Sequence, residues 1–426
     1  MKFLTPVRFS GLWLHAEFRK LWIGQASSLL GTQFVNMALP LTAAIVLDAS
    51  PIQMGVVTAM TGAPAFLGIF IGAWIDRRPR LPILIGSDLG RAALLALIPI
   101  SYFLDILSIW LIYVVAFGLG LFTMAFSIGY RAFLPTVVAK SELVEANSKL
   151  ELAGSGTSAV GPAAAGALVQ AVNAPFAIIF GVFNYVISAL LFRWIRVTEH
   201  APKDASGNGT ENAGGIAAGI RFFRSNSTLV AIAGSQATLV LFSAGFMSIG
   251  LLYKVRDLEI TPWLLGGILS AGSIGSLFGA IVATKITRRI GIGKAMVGGL
   301  LIISATELAL PIVGGSVLFI AIVLVVAIVA GDAGNVIYSI TQMSIRQATT
   351  PDNFQGRVSS IFATLVRLGW PVGGLLSGFL AESFGLRIAL FIGAAGTGSA
   401  ALWLIYGGLW KVSSLEAESK TATPVK

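Results

Sequence analysis

Cysteine is absent from the 426-residue chain, and only two histidines, His15 and His200, are present. The absence of thiols excludes disulfides, thiolate metal sites and cysteine nucleophiles. Neither histidine lies in a long apolar run, so the chain lacks the residues for a multi-histidine metal centre or for a histidine base. We therefore predict no metal site, no cofactor and no enzymatic activity.

Charged residues are also scarce, at 11% of the chain, whereas 56% of the residues are hydrophobic. The mean hydropathy is +0.86. Soluble domains carry about 25% charged residues, and a soluble fold of this length could not bury so much apolar surface. The composition excludes a water-soluble enzyme and indicates a polytopic membrane protein.

Long uncharged windows mark the predicted membrane spans, because a helix crosses the hydrocarbon core with roughly 20 apolar residues. Such windows are 21–47, 49–75, 106–130, 225–253, 260–284 and 388–410. Another, 152–192, accommodates two spans with a turn at Asn173-Ala-Pro175. Single charges interrupt further apolar segments at 83–104, 291–313, 316–341 and 357–381. We predict an all-α membrane protein with twelve transmembrane helices.

Lysine and arginine are distributed unevenly over this topology. With both termini in the cytoplasm, 24 of the 29 basic residues lie in inner segments. Three lie in outer loops (Lys254, Arg256 and Arg387) and two lie within spans (Arg91 and Arg367). This asymmetry follows the positive-inside rule. The net charge of +10 therefore reflects topology, and we expect no nucleic-acid partner.

A polar, Gly- and Asn-rich linker at 198–218 divides the chain, and residues 216–225 are typical of a short basic amphipathic helix. We predict a six-helix bundle over 1–197 and a cytoplasmic linker over 198–225. We further predict a second six-helix bundle over 226–410, followed by a cytoplasmic tail over 411–426.

The two halves carry similar motifs at a constant spacing. Gly68 and Gly72 recur 207 positions later as Gly275 and Gly279, and Gly161-Pro162 is matched about 209 positions later by Trp370-Pro371. Small residues alone can simply allow close helix packing. The shared spacing instead favours two tandem repeats, which would place a substrate path between the halves near the bilayer midplane.

Several segments resemble the major facilitator superfamily. Residues 72–80, Gly-Ala-Trp-Ile-Asp-Arg-Arg-Pro-Arg, resemble the loop between its second and third helices, although Pro79 replaces a glycine and Leu81 the last basic residue. In that family the loop helps to hold the outward-facing state. The resemblance therefore implies a gating latch formed by the matching residues Gly72, Asp76, Arg77 and Arg80.

Other segments resemble the exporters of this superfamily. Gly161, Pro162 and Gly166 match its fifth-helix antiporter motif, although Ala165 replaces one glycine and Thr157 stands where a glycine is common. Residues 18–25 and 356–358 are similar to the branch containing macrolide, multidrug and enterobactin exporters. The resemblance implies export but does not identify the substrate.

Ionisable residues inside the spans are candidates for coupling to an ion gradient. The chain has no Gly-x-x-x-x-Gly-Lys-Ser/Thr segment, so direct use of ATP is not predicted. Asp332 in the tenth span and Arg367 in the eleventh are predicted to lie at similar depth. We hypothesise that they pair and that protonation of Asp332 loosens the contact; a permanent structural ion pair is the alternative. Glu307 is a second proton-coupling candidate.

Asp88 and Arg91, at positions i and i+3 of the third span, are predicted to pair on one helix face. Because they lie near the loop carrying Asp76, we assign them to a network that stabilises the gate; a substrate site is the alternative. Polar residues within the spans are candidates for substrate contact, with helix–helix packing as the alternative interpretation. They are Gln33, Asn36, Gln236 and Asn335.

These features predict a secondary active transporter that exports small amphipathic molecules, such as a drug, an antibiotic or a siderophore, by proton antiport with alternating access. The alternatives are an ion-coupled importer on the same fold and a non-transporting membrane sensor or scaffold. The expected partners are the lipid bilayer, the substrate and protons. We expect a monomer in a bacterial plasma or inner membrane.

Overall fold

The computed structural model describes residues 11–197, 199 and 220–413. Apart from Glu199, the predicted linker at 198–218 lies outside the described residues, as does the tail from 414 onwards. All regular structure in the described part of the chain is helical.

The described part of the first half contains seven α-helices. Short helical turns accompany them at Gly11–Leu14, Thr42–Val46, Ala63–Leu67 and Lys140–Glu142. The α-helices are α1 (Ala16–Leu41), α2 (Pro51–Gly62), α3 (Gly68–Asp76), α4 (Arg80–Phe103), α5 (Ile109–Val137), α6 (Leu143–Val172) and α7 (Ala174–Arg193).

The described part of the second half contains six long α-helices, with short turns at Asp352–Phe354 and Leu409–Lys411. They are α8 (Ser227–Arg256), α9 (Pro262–Ile290), α10 (Ile292–Ile312), α11 (Val317–Thr349), α12 (Gln355–Phe384) and α13 (Leu386–Tyr406).

Local sequence explains where several helices begin. Ser50 and Gln53 form a reciprocal capping box at α2, and Pro51 occupies its first turn. The side chain of Asn226 caps α8 by accepting a hydrogen bond from Leu229 N (3.1 Å). Asn173, at φ 74°, separates α6 from α7, so the predicted turn at this position is confirmed.

Within the described residues, ten helices are long and apolar enough to cross a membrane. The α2–α3 pair, bent by 53° at the break between Leu67 and Phe70, would make an eleventh. The 30-residue helix α6 is not among them; it is rich in glycine, alanine and serine. The all-helical membrane fold is confirmed, and the count of twelve crossings stays a prediction.

Buried apolar side chains form one shared core at one end of the molecule and separate cores at the other. The shared cluster includes Leu41 from the first half and Leu265 from the second. Towards the other end, the cluster around Phe133 contains only first-half residues and the cluster around Tyr338 only second-half residues. The halves therefore meet at a closed end, which carries residues 42–54 and 250–262, and separate at an open end, which carries residues 72–84 and 284–294.

Two glycine crossings join the halves at the closed end. Gly55 of α2 packs against the backbone of Gly374 in α12, and Gly166 of α6 packs against Pro262 and Gly266 in α9. A Cβ on any of these glycines would lie under 3.0 Å from the partner backbone. In the predicted repeat, α2 corresponds to α9 and α6 corresponds to α12. The α2–α12 crossing therefore corresponds to the α9–α6 crossing, which supports the tandem repeat predicted from the sequence.

Some boundaries differ from the sequence expectations. Lys254 and Arg256 lie in the last turn of α8 and not in an outer loop. Residues 220–225, the described part of the predicted amphipathic helix, are helical. The ring of Phe222 stacks on Phe354 with centroids 4.6 Å apart, so this segment packs against the second half.

Candidate functional site

A cavity of about 520 Å³ lies between the two halves. Helices α1, α2, α5 and α7 line it from the first half, and α8 and α12 line it from the second. Its size is that of a pocket for a drug-sized molecule. Because both halves contribute, a rocking motion of one half against the other would change access to it.

The lining combines apolar and neutral polar side chains. Three methionines and Trp370 provide polarisable apolar surface; the methionines are Met54, Met124 and Met247. Hydroxyl groups from both halves also line it, in Thr32, Thr58, Thr61, Thr123, Ser127 and Ser248. Asn36 supplies an amide and Arg367 a positive charge. The cavity therefore suits an amphipathic ligand.

The structure brings two of the sequence-predicted residues, Asn36 and Arg367, to the cavity, and places the others elsewhere. Gln33 donates from Nε2 to Ser158 Oγ (3.1 Å) and so joins α1 to α6. Gln236 and Asn335 are not among the lining residues. Their polar character did not indicate whether they face the cavity, because successive residues of a helix point in different directions.

Asp332 and Arg367 do not form an ion pair in the described structure, in contrast to the sequence hypothesis. Arg367 lines the cavity. Asp332 lies against α9, where a Cβ on Gly272 would collide with its carboxylate. The two side chains thus have different neighbours, which the count of residues along each helix could not show.

Glu307 of α10 lies inside the second half. Its Oε1 accepts a hydrogen bond from Ser243 Oγ (3.2 Å). The Thr397 hydroxyl and the ammonium group of Lys254 are its other polar neighbours. A carboxylate and an ammonium group thus lie near each other inside the second half.

Asp88 and Arg91 form the predicted ion pair, which is almost completely buried at 0% and 1% exposure. The Arg91 guanidinium lies between the rings of Phe126 and Tyr185, 4.5 and 4.3 Å from their centres. The Tyr185 hydroxyl lies 3.0 Å from Thr32 Oγ1, and both residues line the cavity.

In this conformation the Asp88–Arg91 pair is not joined to the predicted gate loop, and its assignment to the gate stays a prediction. Its remaining polar contacts are with Ser28 and Ser188 on α1 and α7. In the described residues it makes no hydrogen bond or ion pair with the loop around Asp76. The pair belongs to the core of the first half, directly behind the cavity wall.

The predicted latch residues lie at the open end. Asp76 and Arg77 are exposed and, in the described residues, form no ion pair with the second half. The backbone N–H groups of Arg80 and Leu81 donate to the Glu199 carboxylate (2.6 and 2.7 Å), which caps α4. A Cβ on Gly72 would meet nothing within 4 Å. The residues of the predicted latch therefore do not join the two halves in this conformation.

All hydrogen bonds that join the halves in the described residues lie towards the closed end. Arg256 donates to Asp48 Oδ1 (2.5 Å) and to the Ala44 carbonyl (3.3 Å). Ser248 Oγ donates to the Met54 carbonyl (3.0 Å). The remaining bonds run from Ile52 N to Glu382 (3.3 Å) and from Ala163 N to Ser270 Oγ (2.9 Å).

The sequence analysis did not predict the Asp48–Arg256 contact. No local motif marks either residue, and they are 208 positions apart in the chain. Only the packing of α8 against the α1–α2 junction brings them together.

The family model described as Major Facilitator Superfamily matches residues 21–374. The chain belongs to this superfamily. It is a multi-pass membrane protein. Macrolide efflux protein A of Streptococcus pyogenes is 24% identical over 387 residues, which cover 87% of this chain and 91% of the relative. The chain is thus a distant relative of a named efflux protein within a transporter superfamily.

Solved structures show the same fold at low identity. The nucleoside transporter NupG aligns with a TM-score of 0.73 at 12% identity, covering 92% of this chain and 99% of that one. A bacterial homologue of the iron transporter ferroportin aligns in its inward-facing state with a TM-score of 0.71 at 18% identity, covering 93% and 99% of the chains. Its outward-facing state gives 0.56 at 16% identity, covering 92% and 99%. The backbone arrangement is therefore more similar to the inward-facing state.

Proposed function

We propose that this protein is a secondary active transporter that exports small amphipathic molecules by proton antiport with alternating access. The observation that carries the proposal is the cavity between two halves whose mutual hydrogen bonds, in the described residues, all lie towards the closed end. The distribution of basic residues predicts that the open end faces the cytoplasm. A cytoplasmic amphipathic molecule would then have direct access to the cavity.

Export requires that the closed end opens while the open end closes. The contacts of Arg256 with Asp48 and Ala44, and the two glycine crossings, would break in that step. At the other end, Asp76 and Arg77 are free to engage the second half. The distant relationship to a macrolide efflux protein and the motif at Gly161, Pro162 and Gly166 favour export over import.

Proton coupling is assigned first to Asp332. Its carboxylate lies in the tenth predicted span, packs against α9 and has no ion-pair partner among the described residues. A carboxylate in that position can gain and lose a proton without breaking a salt bridge. Glu307 is the second candidate, because its surroundings also contain Lys254. We also propose that the protein lies in a bacterial plasma or inner membrane and that it acts as a monomer.

The test uses purified protein in proteoliposomes with an imposed pH gradient and a pH-sensitive dye. Anionic, neutral and cationic amphipathic molecules are presented to wild type, Asp332→Asn and the control Asp105→Asn. Asp105 is exposed and has a positive φ that asparagine tolerates. We expect substrate-dependent proton flux in wild type and in the control, and a decrease of at least about tenfold in Asp332→Asn, because the amide cannot carry the proton.

Each other outcome has a defined meaning. Undiminished flux in Asp332→Asn would contradict its role and move coupling to Glu307 or Asp88. Flux only for substrates presented on the outer side, entering with protons, would identify an importer. Absence of flux and of counterflow for every molecule would favour a non-transporting sensor.

A further inference from the structure

The cavity carries a single formal charge. Among the described residues that line it, Arg367 is the only one that is charged at neutral pH, and no acidic side chain lines it. The nearby Asp88–Arg91 pair contributes no net charge and is sealed behind Tyr185. The electrostatic character of the binding space is therefore set by one guanidinium group.

This guanidinium has no acceptor in the described structure. Arg367 forms no hydrogen bond or ion pair with the described residues, although it has five N–H donors. Its Nη1 approaches α3 across the cavity, where a Cβ on Gly68 would lie 3.2 Å from it. A cation within a membrane span is costly and marks a substrate or ion pathway unless it is paired.

The surroundings of Arg367 provide room for the rest of a ligand. Trp370 lies one helical turn further along α12 and lines the same cavity. Met124 lies close to the same point near Gly68 that the guanidinium approaches. A planar guanidinium binds carboxylates through two parallel hydrogen bonds, and an indole ring packs against an apolar body.

We propose that the substrate of this transporter is an amphipathic monoanion, whose carboxylate binds Arg367 while its apolar body packs against Trp370 and the cavity methionines. The proposal rests on the export function proposed above and specifies its substrate class. One unpaired positive charge fits one negative charge, and it disfavours lipophilic cations.

The experiment measures binding to the purified full-length chain in lipid nanodiscs by isothermal titration calorimetry, with empty nanodiscs subtracted. The probes are biphenyl-4-carboxylate, biphenyl-4-carboxamide and biphenyl-4-ylmethylammonium, which share one apolar body and carry charges of −1, 0 and +1. The variants are Arg367→Gln, Arg367→Lys and the control Arg289→Gln. The control removes the same charge from the exposed last turn of α9.

We expect wild type to bind the carboxylate at least about tenfold more tightly than the ammonium probe, because the hydrogen bonds to the guanidinium are charge-assisted. Arg367→Gln should remove this preference and leave the affinity for the amide within about threefold, since the apolar packing persists. Arg367→Lys should bind the carboxylate more weakly than wild type but keep the preference. Arg289→Gln should match wild type. Retained preference in the lysine variant also shows that the site is folded.

Several results would overturn the proposal. These are equal or tighter binding of the ammonium probe by wild type, an unchanged preference in Arg367→Gln, or no binding of any probe. The proton-flux assay separates this inference from the export function. Flux driven by cationic molecules would leave export intact and refute the anionic substrate. Arg367-dependent binding of the carboxylate without proton flux would support the substrate class and refute antiport.

Discussion

Arg91 is almost completely buried between two aromatic rings, with Asp88 as its counter-charge one turn earlier on α4. Removing one partner of a buried ion pair leaves the other charge uncompensated and typically costs about 3–5 kcal/mol. We expect Asp88→Asn and Arg91→Met each to lower the stability of the purified protein by that amount. The double variant should lose less than the sum, because no unpaired charge remains.

Thermal unfolding in detergent, followed by tryptophan fluorescence, measures these differences. Asp105→Asn serves as the control, because its side chain is exposed and its stability change should be close to zero. Additive losses in the double variant would show that the two residues do not act as a pair.

The sequence predicted contacts within one helix better than contacts between two helices. The i, i+3 spacing correctly predicted that Asp88 and Arg91 pair, since that geometry is local to one helix. The proposed pairing of Asp332 with Arg367 depended on the rotation of two helices about their axes. That rotation is set by packing of α11 and α12 against their neighbours, which no spacing within one segment reports.

Helix crossings at the closed end depend on glycine. Gly266 of α9 contacts the backbone of Pro162 and Gly166, whereas a Cβ on the adjacent Gly267 would meet nothing within 4 Å. Overpacking of a tight contact costs about 1–3 kcal/mol, and 1.4 kcal/mol changes a population ratio tenfold. We expect Gly266→Val to shift the equilibrium by about tenfold towards the conformation in which the halves have separated at this end, and Gly267→Val to leave it unchanged.

The absence of cysteine makes this measurable with spin labels at Ser148→Cys on α6 and Thr284→Cys on α9, both exposed near the open end. Double electron–electron resonance should show a larger short-distance population in Gly266→Val only, because the two halves approach at the open end as they separate at the closed end. Equal distance distributions in both variants would mean that the glycine crossing does not control the equilibrium.

At the scale of the whole molecule, composition and charge predicted the helical membrane fold, whereas the tandem repeat inferred from the glycine motifs stays a prediction. Composition and charge are sums over residues, and each motif is a short segment, so all of them can be read without knowing how the helices pack. The separation of the halves at the open end, the bend between α2 and α3 and the Asp48–Arg256 contact were not predictable. The bend lies within one uncharged window that the sequence gives as a single span. The other two features depend on one conformational state, and the Asp48–Arg256 contact joins segments about 200 residues apart.

Helix α6 decides whether the first half has six membrane crossings. It consists largely of small residues and is not among the ten described helices long and apolar enough to cross a membrane, yet it carries Gly166 to the crossing with α9. If α6 crosses the bilayer, the loops at its two ends lie on opposite sides. The positive-inside distribution further predicts that its first residues, after Lys140, are cytoplasmic.

The test uses single substitutions at exposed positions. Ser141→Cys and Asn173→Cys lie at the two ends of α6, and Ser108→Cys and Ser316→Cys lie in loops predicted to be outside. In intact cells, a membrane-impermeant maleimide should label positions 108, 173 and 316, and should label position 141 only after permeabilisation. Labelling of 141 and 173 on the same side would show that α6 does not span the membrane. In that case the chain could not carry six crossings in each half, and the repeat that places the cavity between the halves would not hold.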